Sequence, residues 1–570
     1  MKGIYMKTIS IGNQSFSDIR EKEYYYIDKT DFICEWWESG DSVTLIARPR
    51  RFGKTLNMDM LKCFFSNKYA GRTDLFEGLS IWEKTDANGE YVYRKLQGEY
   101  PVIFVSFADI KENNFLETYE RICCVLMHLY HESWFLLEGD LLSDAEKKQF
   151  LSINQEMSKT TASGSLRTLC EYLSRYYEKK VILLMDEYDT PMQEAYVNGY
   201  WDDMMLFFRS MFNSTFKTNP YLERGLMTGV TRISKESMFS GLNNLEVVTT
   251  TSQKYETAFG FTEEEVFVAL DAFGMGEQKE KTREWYDGFT FGTHMDIYNP
   301  WSIINLLDKR KFDTYWVNTS SNSLINMVIR QGSADVKQSM EDLLIGKTLS
   351  TQIDEQIVFD QLEYIDSAIW SLMLAGGYLK VLHSELLPEE GYSYELALTN
   401  MEIRFMMWKM IRDWFRSPSI RYNDFIKALL LGDIDAMNEF MNEIALQTFS
   451  SFDTAKNASV KDDPERFYHG FVLGMMVDLS DRYHIVSNRE SGFGRYDVML
   501  RPKDKAKDAI IIEFKVHKPK REASLEDTLQ MALEQIREKR YDEELIAEGY
   551  SQGQIRHYGF AFQGKEVLIG

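Results

Sequence analysis

Lys54 and Thr55 close the stretch ARPRRFGKT, which lies between the short apolar run 42–47 (SVTLIA) and the helix-forming LNMDMLKCFF. Strand, tight loop, Gly-Lys-Thr and helix is the arrangement that holds a nucleoside triphosphate. Backbone N–H groups and the helix N-terminus cradle the phosphates, the lysine reaches the β and γ oxygens, and the hydroxyl ligates Mg²⁺. Gly53, Lys54 and Thr55 are therefore expected to bind ATP, although Arg48 stands where such loops usually begin with glycine. A second stretch supports the assignment: 180–187 reads KVILLMDE, an apolar strand ending in two acids. Asp186 is expected to hold Mg²⁺ through water and Glu187 to polarise the water that attacks the γ-phosphate. Two acids at the end of a buried strand are costly unless a cation or substrate uses them. The plain alternative is a strand ending at a solvated acidic turn, YDTP.

Four further residues could complete this site. Thr228, in the run GLMTGV, would bring a hydroxyl beside the γ-phosphate, and Arg232, just beyond it, would stabilise transferred phosphate charge. Their bland readings are a buried threonine bonded to backbone and a surface arginine paired with Glu236. Arg50 and Arg51 either supplement phosphate binding or are solvated loop charges.

A different chemistry is spelled near the C-terminus. The segments 494–502 (GRYDVMLRP) and 509–516 (AIIIEFKV) read as strands joined by KDKAKD. A hairpin centred near residue 505 sets Asp497 opposite Glu513, and the two-residue strand period puts Lys515 on the same face. Two carboxylates can chelate Mg²⁺, and a lysine beside them can orient a water or stabilise a pentavalent phosphate. Gln535, on the helix expected over 525–539, is an auxiliary candidate, with Glu490 and His469 behind it. A cross-strand salt-bridge cluster is the structural alternative. The stretch 501–521 is basic and either guides a phosphate backbone or is a solvated hairpin tip.

The elements that must position these residues follow from the pattern of the 570-residue chain. At roughly 100 to 200 residues per domain, about three domains are expected. From 8 to 255, apolar runs at 42–47, 101–107, 180–185 and 225–230 alternate with amphipathic segments, the signature of parallel strands buried on both faces. From 256 to 450 the pattern is mostly helical, a lid and middle region, and from 451 to 570 an α/β unit follows. No apolar run approaches the ~20 residues of a membrane helix, and the N-terminus lacks a secretory core. Five cysteines without CxxC pairs fit reduced thiols in a cytoplasm and argue against a zinc site. The net charge of −23 argues against passive coating of nucleic acid but leaves room for a local basic cleft.

With these motifs in place, the chain resembles the bacterial and archaeal AAA-ATPase-like proteins, widespread in Bacteroides and Clostridia, that end in a PD-(D/E)xK nuclease-superfamily domain. The matching segments include YYIDKTDFI, ARPRRFGKTLNMDML, ILLMDEYDTPM, GLMTGVTRISKESMFSGLNNL, FGFTEEEV, WYDGFTFG, FYHGFVLGM, SGFGRYDVML and IIEFKV. The family loop also carries RPRRFGK, so the resemblance implies that Arg48 is a family variation. It implies a P-loop α/β core, a helical lid and middle region and a nuclease-like α/β end. Lys54, Thr55, Asp186 and Glu187 then take the ATPase roles, and Asp497, Glu513 and Lys515 the nuclease roles. Phe259, Phe261, Trp285, Tyr286 and Phe289, in the lid segments, are expected as core packing.

The leading expectation is an ATP-regulated, Mg²⁺-dependent nuclease acting on DNA rather than RNA, in defence or mobile-element control. The alternative is an ATPase switch for signalling or assembly, whose C-terminal domain only binds nucleic acid or a protein. A helicase or unfoldase motor lacks its motif set. A homo-oligomer is needed if Arg232 acts in trans; a monomer suffices if it acts in cis.

Overall fold

A computed structural model describes residues 7–86, 88–231, 239, 241–316, 323–331, 333–344, 346–354, 362, 365–388, 391–414, 422–448, 468, 472–473, 476, 479, 482–491, 494–519 and 521–570. They divide into two compact units: 1–328 with 349–403, and 329–348 with 404–570.

Each expected apolar run of the first unit is a strand: β1 (Val43–Ala47), β2 (Val102–Ser106), β3 (Val181–Asp186) and β4 (Leu222–Gly229). With β5 (Leu245–Val248) they form one sheet in the order β2-β3-β4-β1-β5, parallel at every pairing. Every residue of β1 and β3 is buried, while edge strand β2 alternates buried and half-buried. That difference explains why the inner strands read as unbroken apolar runs.

The segments around this sheet support the loop after β1. Phe52 is buried in that loop, with ring centroids 4.7 Å from Phe289 and 5.4 Å from Phe291. Gly260 donates its N–H to the Phe52 carbonyl. It has φ +84, and a Cβ there would lie 2.5 Å from Ile297 and 3.0 Å from Phe52. Only glycine fits that approach. Phe259, Phe261, Tyr286 and Phe289 are buried and Trp285 packs on Phe312, so these aromatics are core. Lys29 reaches Glu265 Oε2 at 2.7 Å and the Thr257 carbonyl at 2.8 Å, which ties the N-terminal YYIDKTDFI to the helix Glu263–Ala272.

The middle region is largely helical, including Glu263–Ala272, Lys279–Tyr286, Pro300–Lys309, Asp366–Ala375 and Met401–Trp414. It also holds two small sheets that the helical pattern did not give. One contains β6 (Phe261–Thr262), β7 (Phe289–Phe291) and β8 (His294–Tyr298); the other β9 (Leu349–Gln352), β10 (Leu379–Leu387) and β11 (Gly391–Leu398). Most of β10 is exposed, so it lacks the apolar run that marks a buried strand.

Burial and the neighbouring Asp296 push the Asp287 carboxyl up to about 7, against the Gly288 N–H and Lys380. A carboxyl raised on folding favours the native state below the unfolded value of about 4, and this contribution is lost as pH rises through 7. Asp287→Asn is therefore expected to leave Tm nearly unchanged at pH 3, below both values. At pH 8 it should add on the order of 1 kcal/mol, a figure reduced for partial solvation. A thermal melt series across pH checks it; equal shifts at both pH values would contradict the assignment.

In the second unit, β12 (Tyr483–Ser491), β13 (Gly494–Pro502), β14 (Ala509–Val516), β15 (Ile555–Gln563) and β16 (Glu566–Ile569) lie in sequence order. Only the β14–β15 pairing is parallel. Two helices, Tyr422–Leu431 and Ile434–Thr448, are separated at Gly432 with φ +76. Their Phe425, Leu429, Met437 and Met441 share a core with Ile512, Phe514, Phe560 and Phe562. Asn438 and Asn442, one turn apart, each exchange two hydrogen bonds with the backbone of β16, at Ile569 and Val567. This satisfies polar groups along that strand. Met499, Ala509 and Ile511 point to the opposite face, against Ile536 of the helix Leu525–Lys539.

Candidate functional site

The first constellation sits at the C-terminal ends of β1, β3 and β4, neighbours in the sheet, where open α/β sheets place their ligands. Gly53, in the left-handed region at φ +81, is the N-cap of the helix Lys54–Phe65. Lys54 is buried, and its Nζ donates to the carbonyls of Arg48 (3.0 Å) and Pro49 (2.9 Å) in its own loop. Burial holds its ammonium below the ordinary lysine range, against the pull of Glu187 and Asp186. Asp186 is fully buried; one carboxylate oxygen accepts from Thr55 Oγ1 at 2.7 Å and the other from Thr228 Oγ1 at 2.6 Å. Burial pushes that carboxyl up, and both hydroxyls oppose the shift. Thr55 and Thr228, far apart in the chain, thus meet on the Asp186 carboxylate, and Lys54 adjoins Thr55 at the start of the helix.

Glu187 takes φ +50, a left-handed conformation that costs a non-glycine residue about 1 kcal/mol or more, and its Oε2 accepts from Thr190 Oγ1. Arg50 Nη2 donates to Gln193 Oε1 at 2.9 Å, and the Arg51 guanidinium lies 4.6 Å from the Trp301 ring centre. Arg51 is engaged on an aromatic face and is not simply a solvated charge. Arg232, Glu236, His469 and the side chain of Glu490 lie outside the described residues.

Two features go beyond the sequence reading. Arg48, read as a loop variation, is fully buried: its guanidinium donates to the carbonyls of Ala47, Thr249 and Lys254 and lies 4.5 Å from the Phe291 ring centre. It ties the loop to the segment after β5. Arg48→Gly, which restores the common loop glycine, is expected to cost about 2 to 4 kcal/mol of stability because three carbonyls lose a charged donor. Urea unfolding tests this; a variant as stable as the wild type would contradict the role. The turn YDTP is not solvated: Tyr188 and Asp189 are buried, and Asp189 was not singled out because its partners lie 41 and 42 residues away.

The second constellation lies on β13 and β14. Val498 pairs with Ile512, Met499 with Ile511 and Leu500 with Ile510, a register centred on residue 505. Continued by one residue, it sets Asp497 opposite Glu513. Asp497 Oδ2 accepts the Phe514 N–H at 2.8 Å. Glu513 is 1% exposed, and its Oε1 accepts from Lys515 Nζ at 3.0 Å and from Gln535 Nε2. Gln535 also donates to Tyr541 OH at 3.0 Å. Tyr541, absent from the sequence reading, is carried back beside the site by Arg540, the left-handed C-cap of the helix. Burial raises its phenol, and the charges of Glu513 and Asp497 add to that.

These oxygens suit a hard divalent cation. Among the described residues no group of three or more His, Cys, Asp or Glu could hold a metal. The two carboxylates present, Asp497 and Glu513, would fit Mg²⁺, an ion that keeps waters and substrate oxygens in its shell. Part of the basic stretch is already committed: Arg501 binds Glu544 at 2.6 Å and Glu548 at 2.7 Å, and Lys505 Nζ donates to the Glu548 carbonyl. Arg501 and Lys505 are therefore tied within their own unit, while Lys503, Lys507, Lys518 and Arg521 are exposed.

A buried Lys-Thr-Asp cluster at the mouth of a parallel sheet and an Asp/Glu/Lys cluster on a mixed sheet define a two-part protein of the nucleotide-binding and nuclease fold classes. Residues 10–239 match the family described as predicted AAA-ATPase, and residues 463–570 match the PD-(D/E)XK nuclease superfamily. The chain thus carries an AAA-ATPase-like domain and, at its C-terminal end, a PD-(D/E)XK nuclease-superfamily domain. It is 26% identical over 420 residues to a protein of Azotobacter chroococcum mcd 1 named "Uncharacterized protein in vnfD 5'region", covering 70% of this chain and 68% of that one. No helix among the described residues is long and apolar enough to cross a membrane.

Proposed function

We propose that the protein is an ATP-regulated, Mg²⁺-dependent DNA nuclease of the bacterial cytoplasm, acting in defence or mobile-element control. The observation that carries the reading is the coexistence of two charged clusters, Lys54–Thr55–Asp186–Thr228 around the buried Asp186 and Asp497–Glu513–Lys515–Gln535 around the buried Glu513. Domain limits of 8–255, 256–450 and 451–570 go with it. Mg²⁺, bound by Thr55 and Asp186 in one site and by Asp497 and Glu513 in the other, would neutralise phosphate charge. Lys54 exchanges its loop carbonyls for phosphate oxygens, Glu187 orients the attacking water, and Arg50, Arg51, Thr228 and Arg232 hold the transferred phosphate. In the other site, Lys515 orients a water against the phosphodiester while Gln535 fixes the Glu513 carboxylate.

Plasmid and single-strand cleavage with Mg²⁺ or Mn²⁺, with and without ATP, tests the reading. Cutting that responds to ATP supports it. Intact ATP turnover without any cutting of DNA or RNA moves the C-terminal domain to a binding role under an ATPase switch.

A further inference from the structure

Asp189 occupies the N-cap position of the helix Thr190–Asn198 yet makes no side-chain cap bond. A carboxylate at that position ordinarily accepts from the helix's own first N–H groups. Here Oδ2 instead accepts Val230 N (2.9 Å), Thr231 N (2.8 Å) and Thr231 Oγ1 (2.9 Å), the backbone and hydroxyl just past β4. Tyr188 OH donates to the Thr231 carbonyl at 2.8 Å and fixes the same residue from its other side. Gly229 permits the approach, since a Cβ there would lie 2.7 Å from Asp189 Oδ1.

The same carboxylate oxygen accepts Gln193 Nε2 at 2.9 Å, and the other end of that amide accepts Arg50 Nη2 at 2.9 Å. Asp189 is 1% and Gln193 8% exposed. A buried amide between a cation and an anion is polarised by both, and each bond strengthens the other. We propose that Gln193 and Asp189 are positioning residues for nucleotide hydrolysis, linking the phosphate-loop Arg50 to the backbone at Val230 and Thr231. The link rests on the ATP reading above. When Arg50 turns to a phosphate, Gln193 loses its charged donor and the grip of Asp189 on the end of β4 changes. Thr228, two residues earlier on that strand, contacts Asp186, so the adjustment reaches the reacting centre.

The test uses the full chain and three readouts: binding of a fluorescent ATP analogue, steady-state turnover, and hydrogen exchange of the 222–231 segment with and without ATP. Gln193→Leu is expected to keep nucleotide affinity within about threefold and to lower kcat about tenfold. It should also abolish the ATP-dependent change in exchange at Val230 and Thr231. Gln193→Glu, which still faces Arg50 but cannot donate to Asp189, should behave alike. Arg50→Ala combined with Gln193→Leu should lose no more than the worse single variant. Wild-type kcat in Gln193→Leu, or additive losses in the double variant, overturns the link. Lys54→Ala run alongside separates the causes: full ATP binding and turnover in that variant would sink the nucleotide reading itself.

Discussion

Glu513→Ala is expected to lower DNA cleavage by about a thousandfold or more and to remove the thermal stabilisation that Mg²⁺ or Mn²⁺ gives the wild-type chain. Glu513 is buried at the meeting point of Lys515 and Gln535, so its loss removes a candidate metal oxygen and the anchor of both neighbours. Metal-assisted phosphodiester cleavage depends on charge stabilisation worth several kcal/mol, which sets the size of the effect. The alanine also leaves the Lys515 ammonium without this carboxylate, an arrangement that costs stability in a half-buried site. Glu513→Gln separates the two effects: it keeps volume and an oxygen for Gln535 but carries no charge. It should fold with a Tm near the wild type and still fail to cut or to respond to metal. Cleavage retained in Glu513→Gln would rule out the metal role.

Lys54→Ala is expected to reduce ATP turnover by about a hundredfold or more and to abolish the rise in Tm produced by saturating ATP. The ammonium is buried and already bonded to the carbonyls of Arg48 and Pro49. Its desolvation is therefore met in the folded protein before nucleotide arrives, and phosphate oxygens replace two neutral carbonyls with charged acceptors. A ligand at a hundred times its Kd stabilises by about 2.7 kcal/mol, so loss of the Tm response is readily measured. The apo variant should itself lose about 1 to 3 kcal/mol, since two carbonyls lose their donor. Thr55→Ala makes a useful comparison, because Asp186 keeps Thr228 as a donor and the apo stability should change less. An undiminished ATP response in Lys54→Ala would remove the P-loop assignment.

Much of both sites was legible because it rests on short-range rules. The runs at 42–47 and 180–185 became β1 and β3 because inner parallel strands bury both faces and must be apolar throughout. The hairpin register followed from the two-residue strand period and a short turn, so Asp497 and Glu513 could be set opposite each other from spacing alone. What spacing could not supply was strand order. The sequence β2-β3-β4-β1-β5 is what brings Asp186 and Thr228 to Thr55. It is fixed by packing of helices that no local pattern encodes.

The β10–β11 hairpin escaped notice because it is largely exposed and carries no buried run. Arg48 shows the same limit: as a residue type it reads as a phosphate-loop charge, and only the carbonyls of Thr249 and Lys254, about 200 positions away, make it a buried tie. Asp189 and Tyr541 belong to the sites only through chain reversals that bring them against β4 and Glu513. The sequence by itself nominated the residues that could do the chemistry and the strands that carry or precede them. The tertiary structure alone decided which of them share hydrogen bonds, because that depends on how distant elements pack, and burial then turns an ordinary arginine or aspartate into an obligatory partner.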